Sequence, residues 1–139
     1  MIVMTVVDDR MGMMFHHRRQ SQDRGLREKI LSIVAGKKLW MNAYSYGQFK
    51  QEVDNSICNV DNFLELAGEG EYCFVEDEPL QVHLPRIESL ILFRWNRAYP
   101  GDQFLDIDLS KKEWTLTKVE EFAGSSHEKI TMEVYAHEK

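Results

Sequence analysis

Residues 1–7, Met-Ile-Val-Met-Thr-Val-Val, form a continuous apolar run rich in β-branched side chains. That length and composition predict a strand buried on both faces, ended by Asp8, Asp9, Arg10 and Gly12. Residues 11–20 have no clean period and read as a loop, apolar at first and basic towards its end. From Leu26 the apolar positions take helical spacing (Leu26, Ile30, Leu31, Ile33, Val34), with Ser21 ahead as a hydroxyl cap and Gly36 behind as the stop. Leu39-Trp40-Met41 predicts a short buried strand, and Ser45 a second cap, for a helix over residues 46–51. Residues 57–60, 72–75 and 88–95 are further apolar strand segments. Between them lie two short helices, one over 61–67 with Phe63, Leu64 and Ala67 inward, the other opened by Pro79 and running to Leu84. Residues 114–122 and 130–135 nearly alternate around Gly124-Ser125-Ser126, which predicts a closing antiparallel hairpin, wet on one face.

Strands alternate with helices as far as residue 95. That pattern predicts an α/β fold with a mostly parallel sheet, to which the hairpin adds an antiparallel edge. No repeat or linker interrupts it, so residues 1–139 read as one domain. A chain of 139 residues can bury about two thirds of its unfolded surface. With 43% hydrophobic and 29% charged residues it is not a disordered chain.

The net charge of −6 and pI of about 5.4 argue against a nucleic-acid partner, which needs a basic surface. Cys58 and Cys73 lie in apolar strand contexts and read as core residues. Neither a CxxC nor an HxxxH spacing occurs, so no metal is expected. The GxSxG of elbow-type serine hydrolases and the HxHxDH of metallo-hydrolases are absent too. The first apolar run has no basic flank and is too short for a signal peptide or a membrane span. A cytoplasmic protein with no membrane partner is the expectation.

The order of elements is similar to that of the dihydrofolate reductase family, and short patterns through most of the chain carry the likeness. Val6-Val7-Asp8-Asp9-Arg10-Met11-Gly12-Met13 resembles the family's first strand running into its active-site loop. Ser21-Gln22-Asp23 resembles the start of its first helix, where an acidic residue faces the pterin. Residues 36–46, through Met41-Asn42-Ala43-Tyr44-Ser45, resemble the second strand and the Met-Gly-Arg-x-Thr/Ser turn that holds cofactor phosphate. Further on, Leu84-Pro85 with Leu90-Ile91-Leu92, Gly101-Asp102 with Phe104, Trp114 to Phe122, Ser126-His127-Glu128 and Val134-Tyr135 resemble the family's second half. The likeness implies a three-layer dihydrofolate reductase-like sandwich.

The departures fall on the chemistry. Where the family has a Gly-Gly pair against the cofactor pyrophosphate, this chain has Val75-Glu76-Asp77-Glu78-Pro79. Like charges about 4 Å apart cost on the order of 1 kcal/mol in water and more in a cleft, and side chains block the approach that glycine allows. Asn42-Ala43 lacks the family's Gly-Arg. Ser45 remains as an anion contact through a helix start, or as a plain cap. Phe15-His16-His17-Arg18-Arg19-Gln20 replaces a Pro-Trp loop, and Phe93 stands where a Thr or Ser would support the catalytic acid. Asp23 is the candidate proton donor if an apolar pocket raises its pKa, and otherwise a helix-dipole partner. The chain is also shorter than the family after Phe49, where the adenosine site lies.

The candidate anion site is therefore Ser45, Asn42, Arg18 and Arg19, and the candidate substrate cleft Phe15, His16, Arg94 and Trp95. The first reading is a reductase scaffold without a cofactor, which binds a small anionic or heteroaromatic ligand or acts as an interaction module. The alternative is an active NADPH-dependent reductase of a pteridine or pyrimidine. A structural homodimer, joined by the strand edge or by residues 94–99, is the third.

Overall fold

The computed structural model describes residues 1–49 and 56–138. In chain order its elements are β1 (Ile2–Val7), β2 (Gly12–Phe15), β3 (Arg18–Arg19), α1 (Arg24–Val34), β4 (Leu39–Met41), α2 (Ala43–Phe49), β5 (Ile57–Asn59), α3 (Phe63–Leu66), β6 (Tyr72–Phe74), a 3-10 helix (Gln81–Arg86), β7 (Ser89–Arg94), β8 (Gln103–Phe104), β9 (Trp114–Phe122) and β10 (Ile130–His137). The main sheet has the order β5-β4-β6-β1-β7-β10-β9, and β3-β2-β8 form a second, small sheet. The first five strands of the main sheet are parallel, while β10 runs antiparallel to both β7 and β9. No helix among the described residues is long and apolar enough to cross a membrane.

The central strand β1 is apolar throughout because both of its faces are covered. Val3 and Val7 join a core with Phe63, Leu64, Leu80 and Ile87, and Met4 joins the opposite core with Leu26, Ile30, Val34 and Phe49. Thr5, fully buried in mid-strand, is tolerated because its hydroxyl donates to the Val75 carbonyl at 2.8 Å. The α1 stripe of Leu26, Ile30 and Val34, at roughly 2 kcal/mol for each buried side chain, docks that helix on the sheet. Beyond Val34 the helix is closed by Ala35 at φ 51° followed by Gly36 at φ 83°.

Four expectations change. Residues 12–19 are not a loop but a two-strand hairpin whose turn residues, His16 and His17, both have positive φ (50° and 60°). The sequence shows neither Asn-Gly nor Asp-Gly there, which hid the turn; histidine is among the few other residues that tolerate it. Asp23, not Ser21, caps α1 by accepting from the Leu26 amide at 3.0 Å. Asn42, not Ser45, caps α2 by accepting from the Ser45 amide at 3.0 Å. The helix predicted from Pro79 is the 3-10 helix instead, starting two residues later and containing Pro85. Residues 50 and 51 of the predicted second helix lie outside the described residues, as does the start of the shortened stretch after Phe49.

Candidate functional site

The β2–β3 hairpin lies against β1, and its Arg19 reaches Tyr44 at the start of α2 and Glu76 just beyond β6. Beneath it lies a crevice walled by Val6, Met13, Ile30, Phe49, Phe74 and Trp95. These side chains nearly fill it, leaving about 10 Å³, the room of roughly one water.

Arg19 closes the crevice. Its Nε donates to Glu76 Oε2 at 2.9 Å and Nη2 to Glu76 Oε1 at 3.1 Å, a bidentate pair. Glu76 is 8% exposed. The guanidinium also lies 4.3 Å from the Tyr44 ring centre and donates to the Tyr44 carbonyl, while Tyr44 Oη accepts from the Arg19 amide. Burial lowers the Arg19 pKa, but the hydrogen bond and charge of Glu76 outweigh it and raise it overall. Asn42 is engaged in the same way: Oδ1 holds the Ser45 amide while Nδ2 donates to Asp77 Oδ1 at 2.9 Å. Two of the four predicted anion-site residues thus hold the chain's own carboxylates. Ser45 is buried (1% exposed), and its hydroxyl has no partner among the described residues.

Arg18, the fourth, points outward with Phe15 and His16. With Tyr99 and Pro100 these residues line an open cleft of about 440 Å³ on the outer side of the hairpin. The Phe15 and His16 rings are 3.9 Å apart, and the His16 amide donates to Asp102. Asp8 ties this loop region down. Its carboxylate accepts from the Arg10, Gly12 and Tyr99 amides at 2.8–3.0 Å and from Gln20 Nε2 at 3.3 Å. Burial would raise its pKa, but these hydrogen bonds bring it below the ordinary carboxylate value.

Asp23 does not face the crevice as a proton donor. It is 2% exposed and turns to the β9–β10 loop, where it accepts from the Ser125 and Ser126 amides at 2.9 Å and from both serine hydroxyls. His127 Nδ1 meets Oδ2 at 2.9 Å. Burial alone would raise the pKa, as the sequence suggested. The donors from Ser125, His127, Ser126 and Leu26 win, and hold the carboxyl well below the usual carboxylate range. Gly124 and Gly25 make the close approach possible: a Cβ on Gly124 would sit 2.9 Å from Asp23 Cγ, and one on Gly25 3.0 Å from Asp23 Oδ1.

The predicted substrate cleft divides. Phe15 and His16 line the outer cleft and Trp95 the inner crevice, whereas Arg94 lies elsewhere, bonded to Glu133 Oε1 at 2.8 Å. Phe93 is buried and meets Phe122 edge to face. Cys73 is fully buried and its thiol pKa is pushed up to about 12 by that burial; Cys58 is half-buried. Sequence reasoning missed His127 as the partner of Asp23 and Tyr99 as a partner of His127. A buried histidine beside two serines was the only local trace, and a separation of 104 residues hides the pairing.

No protein-family model matches the chain, and no curated protein sequence does. Among solved structures it is similar to a dihydrofolate reductase from Enterococcus faecalis complexed with NADP(H) and RAB-propyl. The TM-score is 0.71 at 10% identity, covering 99% of this chain and 96% of that one. The chain has a dihydrofolate reductase-like fold. In this reductase-like frame β6 ends at Phe74, so Glu76 to Glu78 follow the strand that carries the Gly-Gly turn in the family the sequence resembles.

Proposed function

We propose that this protein uses the reductase-like fold to bind a small anionic ring compound and transfers no hydride. The observation that carries this reading is the Arg19–Glu76 pair. Glu76, in the stretch that the resemblance sets at the family's pyrophosphate turn, is a buried carboxylate neutralised by Arg19, and the pair occupies an arginine that could otherwise meet a phosphate. With Asp77 on Asn42, the donor set does not suit NADPH. The outer cleft has the opposite character. Arg18 is a solvent-facing cation, and Phe15, His16, Tyr99 and Pro100 give flat apolar walls. Its 440 Å³ falls within the usual 300–1,000 Å³ or so of small-molecule sites. An aromatic anion would stack on the walls and pair with the guanidinium.

The test is calorimetric titration with NADPH beside a thermal-shift series of nucleoside monophosphates and pteridine carboxylates. The expected result is no saturable NADPH binding, and a ring anion whose rise in Tm is lost in Arg18→Ala. Tight NADPH binding with oxidation in the presence of dihydrofolate overturns the reading. One observation favours that alternative, an NADPH-dependent reductase: the Ser45 hydroxyl is buried without a partner among the described residues, where the family's phosphate-binding Thr/Ser is expected.

A further inference from the structure

The two outer strands of the main sheet are unequal. β5, at one end, has three residues, whereas β9, at the other, has nine. Among the described residues no strand lies beyond either. β9 pairs with β10 on one side only, so along its other side every second residue turns a backbone N–H and C=O outward without a strand partner. Its side chains are open as well: every residue from Thr115 to Val119 is exposed, Leu116 to 47% and Val119 to 55%. The 94–99 segment, the other candidate joint between two copies, is taken up inside the chain. Arg94 holds Glu133, Trp95 is buried, Asn96 holds Thr131, and Tyr99 meets His127.

We propose that β9 is the joint of a homodimer, in which it pairs antiparallel with β9 of a second copy about a two-fold axis at Val119, so that the two main sheets run on as one. The charges along the strand select this register. With the axis at Val119, Lys118 stands opposite Glu120 of the second copy, Glu120 opposite its Lys118, and Val119 opposite its Val119. An axis at Lys118 sets lysine against lysine, and one at Glu120 or Glu121 sets carboxylate against carboxylate. Opposite charges directly across from each other stabilise strand pairing, and like charges oppose it. An axis at Thr117 falls on the bulge, since β10 steps from Lys118 to Leu116 and leaves Thr117 unpaired.

The faces agree with the same axis. Lys118 and Glu120 share one face, with Nζ 3.5 Å from Oε1, and Lys29 of α1 holds the Glu120 carboxylate beside the strand. Val119 lies on the other face, across from Glu133 of β10. A two-fold axis perpendicular to the sheet keeps each face on its own side, so the charged pairs meet on one and the valines on the other. A lysine and a bulge on an outer strand are also devices against indiscriminate pairing. In β9 the lysine lies two residues from a glutamate, so a second copy answers the charge, and the same devices exclude other registers and strands of other charge pattern. A strand-edge contact is small, and the dimer is therefore concentration-dependent.

The test is sedimentation velocity over a concentration series reaching the millimolar range, with thermal melts of every variant to establish folding. The parent is expected to pass from monomer to dimer along the series. Lys118→Glu and Glu120→Lys each set like charges against each other on both sides of the axis, and each should raise the dissociation constant at least about tenfold. Mixed one to one, the two variants should associate as the parent does, because in the mixed pair each position 118 faces an opposite charge at position 120. An interface that does not set 118 against 120 gives no such rescue. Val119→Lys, on the axis itself, should abolish the dimer, and it decides the matter if Glu120→Lys fails to fold. A parent that stays monomeric throughout overturns the proposal. So do a dimer unmoved by Lys118→Glu, a mixture of folded variants no more associated than its components, and a folded Val119→Lys protein that still dimerises.

Discussion

Two buried carboxylates, Glu76 in the wall of the crevice and Asp23 at the start of α1, are satisfied in different ways. Glu76 is held by one ionic partner, Arg19, in a bidentate pair that spans 57 residues of sequence. Asp23 is held by six neutral or imidazole donors, three of them backbone amides. A charge that depends on one partner becomes an orphan when that partner is lost, whereas a charge shared among amides loses little with any one of them. The first arrangement is an electrostatic latch that one substitution opens. The second is a joint built into the backbone, and the far side of its His127 ring is met by the Tyr99 and Ser21 hydroxyls.

The sharpest challenge to this comparison is Asp23→Ala. It strands the Leu26, Ser125 and Ser126 amides and the His127 ring. The expected loss is about 4 kcal/mol by urea unfolding, because each abandoned buried donor costs on the order of 1 kcal/mol or more. Next is Arg19→Met, which leaves Glu76 buried without its cation and should cost about 3 kcal/mol. Adding Glu76→Gln should recover most of that cost, and a double-mutant cycle measures the coupling. A cost for Arg19→Met as large as for Asp23→Ala, unrecovered by the second change, breaks the distinction between latch and joint.

Acid should separate the two regions as well. The Asp23 pKa lies below its unfolded value, so below about pH 4 the unfolded chain binds the proton more readily than the native one. The stability Asp23 contributes is therefore fully present above that pH and is lost progressively as the pH falls beneath it. Asp23→Asn should flatten the decline in midpoint between pH 5 and 3, as followed by circular dichroism. The smallest effect is expected of Ser125→Ala, which removes one hydroxyl donor and leaves its amide in place; about 1 kcal/mol is predicted.

Much of the frame is legible in the sequence alone. The run at residues 1–7 and the α1 stripe of Leu26, Ile30 and Val34 each announce an element, because burial acts on them through local periodicity, whereas β9 alternates in sequence but is buried only at Trp114 and otherwise largely exposed. The β2–β3 hairpin escaped because its turn uses two histidines in the left-handed region in place of the usual Asn-Gly. The caps were misplaced by two residues at Ser21 and three at Ser45, since several nearby polar side chains can satisfy a helix start and only packing selects one. At the candidate site the residue types were legible and their partners were not. Arg19 was read as a cation awaiting an anion, and the anion proves to be Glu76 of the same chain.

What the sequence determined by itself is the α/β order, the positions of the core, and the placing of Glu76 to Glu78 after the strand that precedes the cofactor turn in the family it resembles. These follow from hydrophobic spacing and residue identity, which act over a few neighbours. What only the tertiary structure decided is which charges cancel and which hydroxyls meet which ring. Arg19 with Glu76, and Ser21 and Asp23 with His127, are brought together by the sheet over 57 to 106 residues of chain. Electrostatic and hydrogen-bond energies depend on distances of a few ångströms, and those distances exist only once the hydrophobic layers have closed.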